Sequence, residues 1–252
     1  MREDLLKRHL ELVIEANKTT NITRISTWDE GMLLHVQDSL VGLPELREAP
    51  EGRMVDIGSG AGYPGIPLAI ESGRSTLLAD SVGKKTTILA SMVQTLGLDN
   101  VDVYTGRIED LAREEPASFA AVTARALAQL SILMEFASPL LQEGGRLICY
   151  KANVSDEEME HALSLQNRLA MKLVSDRIVE LGKNHRRIIC FEKNGYPACK
   201  ASAQKQAFAQ KTPALMQNVS RETFCIRNLA LTLRGFHSVL TRSLRAFSSD
   251  PE

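Results

Sequence analysis

At 252 residues, with 44% hydrophobic and 24% charged, the chain can bury a full core and has the composition of an ordinary globular protein. No apolar run approaches the ~20 residues that a membrane-spanning helix needs, and the charged N-terminus is unlike a signal peptide. The net charge of −1 hides an asymmetry: residues 198–252 hold 8 Lys+Arg against 3 Asp+Glu, leaving 22 against 28 for the rest, so the body is not a basic nucleic-acid binder by composition.

The four cysteines (Cys149, Cys190, Cys199, Cys225) form no C-x-x-C pair and have no histidine at ligand spacing. That pattern predicts reduced thiols in a cytosolic protein and argues against a metal site.

In chain order, Asp4–Asn17 carries leucines at helical spacing and reads as an amphipathic helix. The polar stretch 17–23 breaks it. A second helix is expected over Thr27–Leu43, with Ser26 or Thr27 as N-cap and Glu30 at capping-box spacing from Thr27. His35 and Asp38 lie three apart on it. They read either as a local hydrogen-bonded pair or as part of a cap that shapes a substrate site. Residues 1–47 are assigned to this N-terminal helical cap.

From residue 54 strands and helices alternate, the α/β signature. Strands are expected at 53–57, 75–80, 101–104, 119–125 and 146–151. Helices are expected at 65–72, about 83–97, 128–141 and 155–170. Two last strands, 172–181 and 186–193, are joined by a hairpin-like break. The whole predicts a Rossmann-like fold with a seven-stranded, mostly parallel sheet over residues 48–197.

The stretch Asp56-Ile-Gly58-Ser-Gly60-Ala-Gly62-Tyr63-Pro64-Gly65 organises this domain. It reads as a strand, a tight glycine turn and a helix N-terminus, which brings backbone N–H groups and a helix dipole to a ligand. Gly60 to Gly65 fits the dinucleotide fingerprint G-x-G-x-x-G. The longer pattern, with Asp56 two residues before Gly58, suits S-adenosylmethionine (SAM), whose ammonium needs a carboxylate or carbonyl. A glycine turn with no ligand is the remaining reading. Asp80 ends the second strand 24 residues after Asp56, where an acid can accept from ribose hydroxyls. Ile108 and Glu109, in the turn after the third strand, are candidates for the adenine edge. Arg125 ends the fourth strand on the crevice side, and Lys151 ends the fifth. Arg125, Lys84, Lys85, Lys151, Arg186 and Arg187 are candidates for phosphate or base-edge contact, each against the alternative of a solvated surface charge.

Six motifs occur in order: Asn17-Lys-x-x-Asn-Ile-Thr23, His35-x-x-Asp38-Ser39, the glycine turn through Gly62-Tyr-Pro-Gly-Ile-Pro67, Asp80-Ser-x-x-Lys-Lys85, Gly106-Arg-Ile-Glu-Asp110 and Ala124-Arg125-Ala126. They resemble the bacterial 16S rRNA guanine-N7 methyltransferase family (RsmG, also called GidB) over residues 5–197. The resemblance implies methyl transfer from SAM to N7 of one guanine in small-subunit ribosomal RNA. It implies SAM contacts at Gly58, Tyr63, Ile108, Glu109 and Arg125, beside Asp56, Gly60 and Gly62 from the turn itself and Asp80 from the end of the second strand. The partner is then 16S rRNA or the small ribosomal subunit, met by a cytoplasmic monomer that needs no membrane. Where the family ends in a basic Tyr-Pro-Arg-like segment, Tyr196-Pro-Ala-Cys-Lys200 lacks the arginines and an unfamiliar stretch follows.

Guanine N7 offers a lone pair without losing a proton, so no obligatory proton-transfer residue is expected. Arg125 is the substrate-orienting candidate. Alignment of the reactants alone is worth roughly 7–11 kcal/mol. Two other functions fit the pattern less fully: an NAD(P)-dependent oxidoreductase on the same turn, and a non-catalytic ribosome-binding protein that kept the fold. The tail 198–252 begins as a disorder-like polar run. Over 224–247 it carries leucines and arginines on opposite helical faces. Such a helix suits RNA, a partner or an anionic membrane, or simply packs on the body.

Overall fold

The computed structural model describes residues 2–25 and 27–195. The tail and its expected helix 224–247 lie outside them, as do Cys199 and Cys225.

The apolar runs of the sequence become strands, buried on both faces at the centre of the sheet and more open to solvent at its edges. They are β1 (Met54–Ile57), β2 (Thr76–Asp80), β3 (Val101–Thr105), β4 (Phe119–Arg125), β5 (Leu141–Lys151), β6 (Met171–Leu181) and β7 (Asn184–Lys193). The sheet order is β3-β2-β1-β4-β5-β7-β6. The first five strands run parallel, and β7 pairs antiparallel with both β5 and β6. The expected fifth strand at 146–151 is longer than read. It starts at Leu141 and pairs with β4 across an irregularity between Phe119 and Ala121. Gly144, at φ 75°, lies in the stretch taken up there.

Alternation sends successive residues into two cores. Met54, Ala121, Ile148 and Tyr150 face one core. It is closed by α1 (Arg2–Asn17), by α5 (Gly65–Ser72) and α6 (Gly83–Leu96), and by the cap. Val55, Val122, Leu147 and Cys149 face the other. It is closed by α7 (Ile108–Glu114), α8 (Leu130–Leu140) and α9 (Asp156–Ser164). The last expected helix splits, because Leu165 separates α9 from the short α10 (Gln166–Leu169).

The cap departs most from a regular reading. The single helix expected over 27–43 is α2 (Trp28–Gly31), a π-helical turn (Met32–Gln37) and α3 (Asp38–Leu40), followed by α4 (Leu43–Arg47). The expected capping box is replaced by a side-chain pair. The Thr27 hydroxyl bonds Glu30 Oε2 at 3.0 Å and caps no backbone N–H. The wide π turn brings His35 and Asp38 together on the body, and π turns of this kind recur at functional sites. Tyr150 Oη donates to the Ser39 carbonyl at 2.7 Å. Gly42 leaves room for that ring, since a Cβ there would sit 2.1 Å from the Tyr150 hydroxyl.

Among the described residues no helix is long and apolar enough to cross a membrane.

Candidate active site

The carboxyl ends of β1, β2 and β4 meet where the sheet order reverses, the usual crevice of an open α/β sheet. Gly60 turns the chain there at φ 58°, and a Cβ at this position would meet nothing closer than 3.9 Å. The backbone is therefore bare on its open side. Gly60 N–H donates to Asp80 Oδ2 at 3.1 Å, and Val82 N–H donates to Asp80 Oδ1 at 2.9 Å. Those two bonds fix the carboxylate at the end of β2, and each oxygen keeps a lone pair for a hydroxyl. A cavity of about 360 Å³ opens at this point. Gly58, Asp80, Lys85 and Glu109 line it, with Ile108, Leu127 and Phe136 as apolar walls. Ser81, Val82, Ala126, Leu127 and Phe136 also reach the cavity and were not foreseen. Only their positions just after strands, and in α8 for Phe136, hinted at it.

Asp56 is a correction to the expected ligand carboxylate. It is buried, and its oxygens are already taken by Thr123 Oγ1 at 2.7 Å, Ser59 Oγ at 2.8 Å and Gly65 N–H at 3.1 Å. Burial pushes its pKa up to about 6 against the opposing pull of these three donors. Asp56 ties β1, the turn and the start of α5 together instead of meeting solvent. Gly62 is glycine for a packing reason. A Cβ there would lie 2.6 Å from Ile66 and 3.1 Å from His9 Nε2, so its bareness admits the first helix.

Tyr63, Arg125 and the cap form one cluster beside the turn. The Tyr63 ring stacks on His35 with centroids 4.4 Å apart and an 8° tilt, and His9 packs against it at 4.5 Å. His9 Nε2 lies 3.0 Å from the Ala61 carbonyl, so it carries the proton and donates. Burial lowers the pKa of His9 to about 3 and, together with the Arg125 charge, that of His35 to about 4, so both rings are neutral. The Arg125 guanidinium lies 5.5 Å from the Tyr63 ring centre. The Tyr63 hydroxyl is buried and has no hydrogen-bond partner among the described residues.

The basic candidates divide. Lys84 is exposed and Lys85 half-buried at the start of α6, and neither is paired with a described acid. The other three, expected at RNA, are engaged within the protein. Lys151 pairs with Glu158 at 2.8 Å and donates to the Ala128 carbonyl at 3.1 Å. Arg186 grips Asp38 through Nε at 2.6 Å and Nη2 at 2.8 Å. Arg187 grips Asp176 with two bonds of 2.8 Å. Each sits at a sheet end where acids of neighbouring elements lie within reach, which strand reading alone does not reveal.

The residues of the cavity fit SAM. Asp80 suits a ribose and the apolar walls suit an adenine, while Gly60, outside the lining but bonded to Asp80, leaves space beside them. Sheet order, glycine turn and cavity together define a Rossmann-like SAM-dependent methyltransferase. The fold is shared with the Bacillus subtilis protein YcgJ, at TM-score 0.51 and 15% identity over 64% of this chain and 100% of that one. It is also shared with a geranyl diphosphate methyltransferase in complex with GPP and sinefungin, at TM-score 0.51 and 13% identity over 62% and 78%.

Sequence relatives narrow the class. A profile of the family described as rRNA small subunit methyltransferase G (GidB) matches residues 2–189. The ribosomal RNA small subunit methyltransferase G of Streptococcus sanguinis is 38% identical over 176 residues, 68% of this chain and 74% of its own. Those of Lactobacillus delbrueckii subsp. bulgaricus and Gloeobacter violaceus are 33% and 40% identical, over 72% and 62% of this chain and 78% and 64% of theirs. The chain belongs to the rRNA small subunit methyltransferase G family, and its methyl donor is SAM. The oxidoreductase reading falls with that assignment.

Proposed function

We propose that the chain methylates N7 of a guanine in 16S rRNA, using SAM bound over the Gly58–Gly62 turn. The observation that carries the reading is the Asp80 carboxylate, fixed by the N–H of the bare Gly60 and facing a cavity that Gly58, Ile108 and Glu109 also line. Bound SAM supplies a methyl group on a positively charged sulfur. Asp80 holds the ribose, and Ile108 and Glu109 bound the adenine side. Arg125 and the unpartnered Tyr63 hydroxyl flank the methionine end.

The chemistry of the surroundings agrees with an acceptor that keeps its protons. Burial pushes the pKa of Asp56 up to about 6, yet the group is buried and saturated by three donors. It cannot reach an acceptor as a base. A guanine N7 needs none, so the task left to the protein is orientation and exclusion of water. Arginine bound across the O6/N7 edge would cover the reacting lone pair. Any arginine contact to the target base is therefore confined to O6 or to phosphate. Lys84 and Lys85, at the rim, serve phosphates.

The test is transfer of radiolabelled methyl from SAM to small subunits that lack the modification, with the modified base mapped by strand scission at 7-methylguanine. One scission site in 16S rRNA supports the proposal. Label on another atom or another RNA, or none, overturns it.

A further inference from the structure

We propose that Asp38, on the cap, is a positioning residue for methyl transfer that acts through Arg125. The inference rests on the reading that Arg125 meets the carboxylate of SAM's methionine end.

Arg125 has five N–H donors. Nη1 uses two, to Asp38 Oδ2 at 2.9 Å and to the Leu34 carbonyl at 3.1 Å, and Nη2 uses one, to His35 Nδ1 at 3.2 Å. Arginine only donates, so His35 Nδ1 is the acceptor and its proton sits on Nε2, which donates to Thr23 Oγ1 at 2.8 Å. The cap thus holds the blunt end of the guanidinium. Nε–H and the second Nη2–H remain without partners among the described residues. Those two form the parallel fork that reads a carboxylate. Arg186 uses that fork on Asp38 and Arg187 uses it on Asp176.

Asp38 is completely buried, and Arg186 supplies the second charge that keeps it company. A free arginine side chain loses much rotamer entropy when a ligand orders it. Held from behind by Asp38, Leu34 and His35, the fork of Arg125 meets a ligand already aligned. The cap is therefore part of the cofactor site, although it lines none of the cavity.

The experiment is a double-mutant cycle on the full chain, with SAM affinity measured by calorimetry. Asp38→Asn is expected to weaken binding about tenfold and Arg125→Met by at least as much. The double variant should bind no worse than Arg125→Met alone, because Asp38 acts only through that side chain. Additive losses overturn the inference and leave the Arg125 reading standing. Tighter binding by Asp38→Asn also overturns it, by making Asp38 a competitor for the fork. Unchanged binding in Arg125→Met overturns the Arg125 reading itself, and the inference with it. If Asp38→Asn does not fold, His35→Leu carries the same cycle, since it removes an acceptor from Arg125 without leaving a charge unpaired. Its expected loss, about threefold, should vanish in the Arg125→Met background.

Discussion

The two ends of the active edge are built by different means. At the proposed cofactor end, the arrangement rests on backbone: Gly60 N–H and Val82 N–H set one carboxylate, across 20 residues and 2 residues of sequence. At the cap end it rests on side-chain ion pairs reaching across 87 and 148 residues, from Arg125 and Arg186 to one buried acid. The first arrangement is local, pre-set and open to ligand. The second couples the N-terminal helices to the far side of the sheet, so damage there should spread.

The contrast breaks most sharply at Asp80. Asp80→Ala removes both ribose acceptors and should weaken SAM binding by about a hundredfold, measured by calorimetry, with charge-assisted bonds worth roughly 1.5–3 kcal/mol each. A loss under threefold would mean that the cofactor end is not where the ligand is held.

Acid should act on the turn and cap through three buried groups, and the sign follows from their shifts. His9 and His35 are lowered from 6.5 to about 3 and about 4, so unfolding takes up their protons and stability falls as pH drops from 6.5 toward 4. Asp56 is raised from 3.8 to about 6, so the folded state takes up its proton first and gains stability as pH drops from 6 toward 3.8. Two histidines oppose one carboxylate. Between pH 6 and 4 these groups together should cost about 1.4 kcal/mol per pH unit, one net proton. Urea melts across that range measure the slope. His9→Phe should flatten it, and a slope unchanged in that variant would remove His9 from the account.

Smaller effects separate packing from binding. Tyr150→Phe deletes a buried bond to the cap and should lower unfolding free energy by about 1 kcal/mol while leaving SAM affinity within twofold. A tenfold affinity loss would show that the cap's seating, beyond Asp38, governs the cofactor end. Least of all, Lys84→Ala should lower kcat/KM for the ribosomal substrate about threefold and reduce its salt dependence, with SAM affinity unchanged.

Legibility in the sequence followed the same division. Strand β4 and helix α5 fell at their expected bounds, because a short, nearly continuous apolar run and a Gly-Tyr-Pro-Gly entry mark them locally. The place of Asp80, at the end of β2 and on the cavity, was readable from its distance to the glycine turn. Asp56 was readable as important but not in its role. Only the pairing of β1 with β4 brings Thr123, 67 residues away, onto its second oxygen. The π turn of the cap carries no sequence mark, and the engagement of Lys151, Arg186 and Arg187 depends on acids from other elements. Periodicity sees one element at a time, whereas ion pairs join several.

The most direct test of the central claim is a crystal structure of the full chain with S-adenosylhomocysteine. The account predicts both ribose hydroxyls on the Asp80 carboxylate, the chain between ribose and sulfur passing over Gly60, and the methionine carboxylate on the free fork of Arg125. A ligand seated elsewhere, or one whose ribose leaves Asp80 untouched, would contradict it.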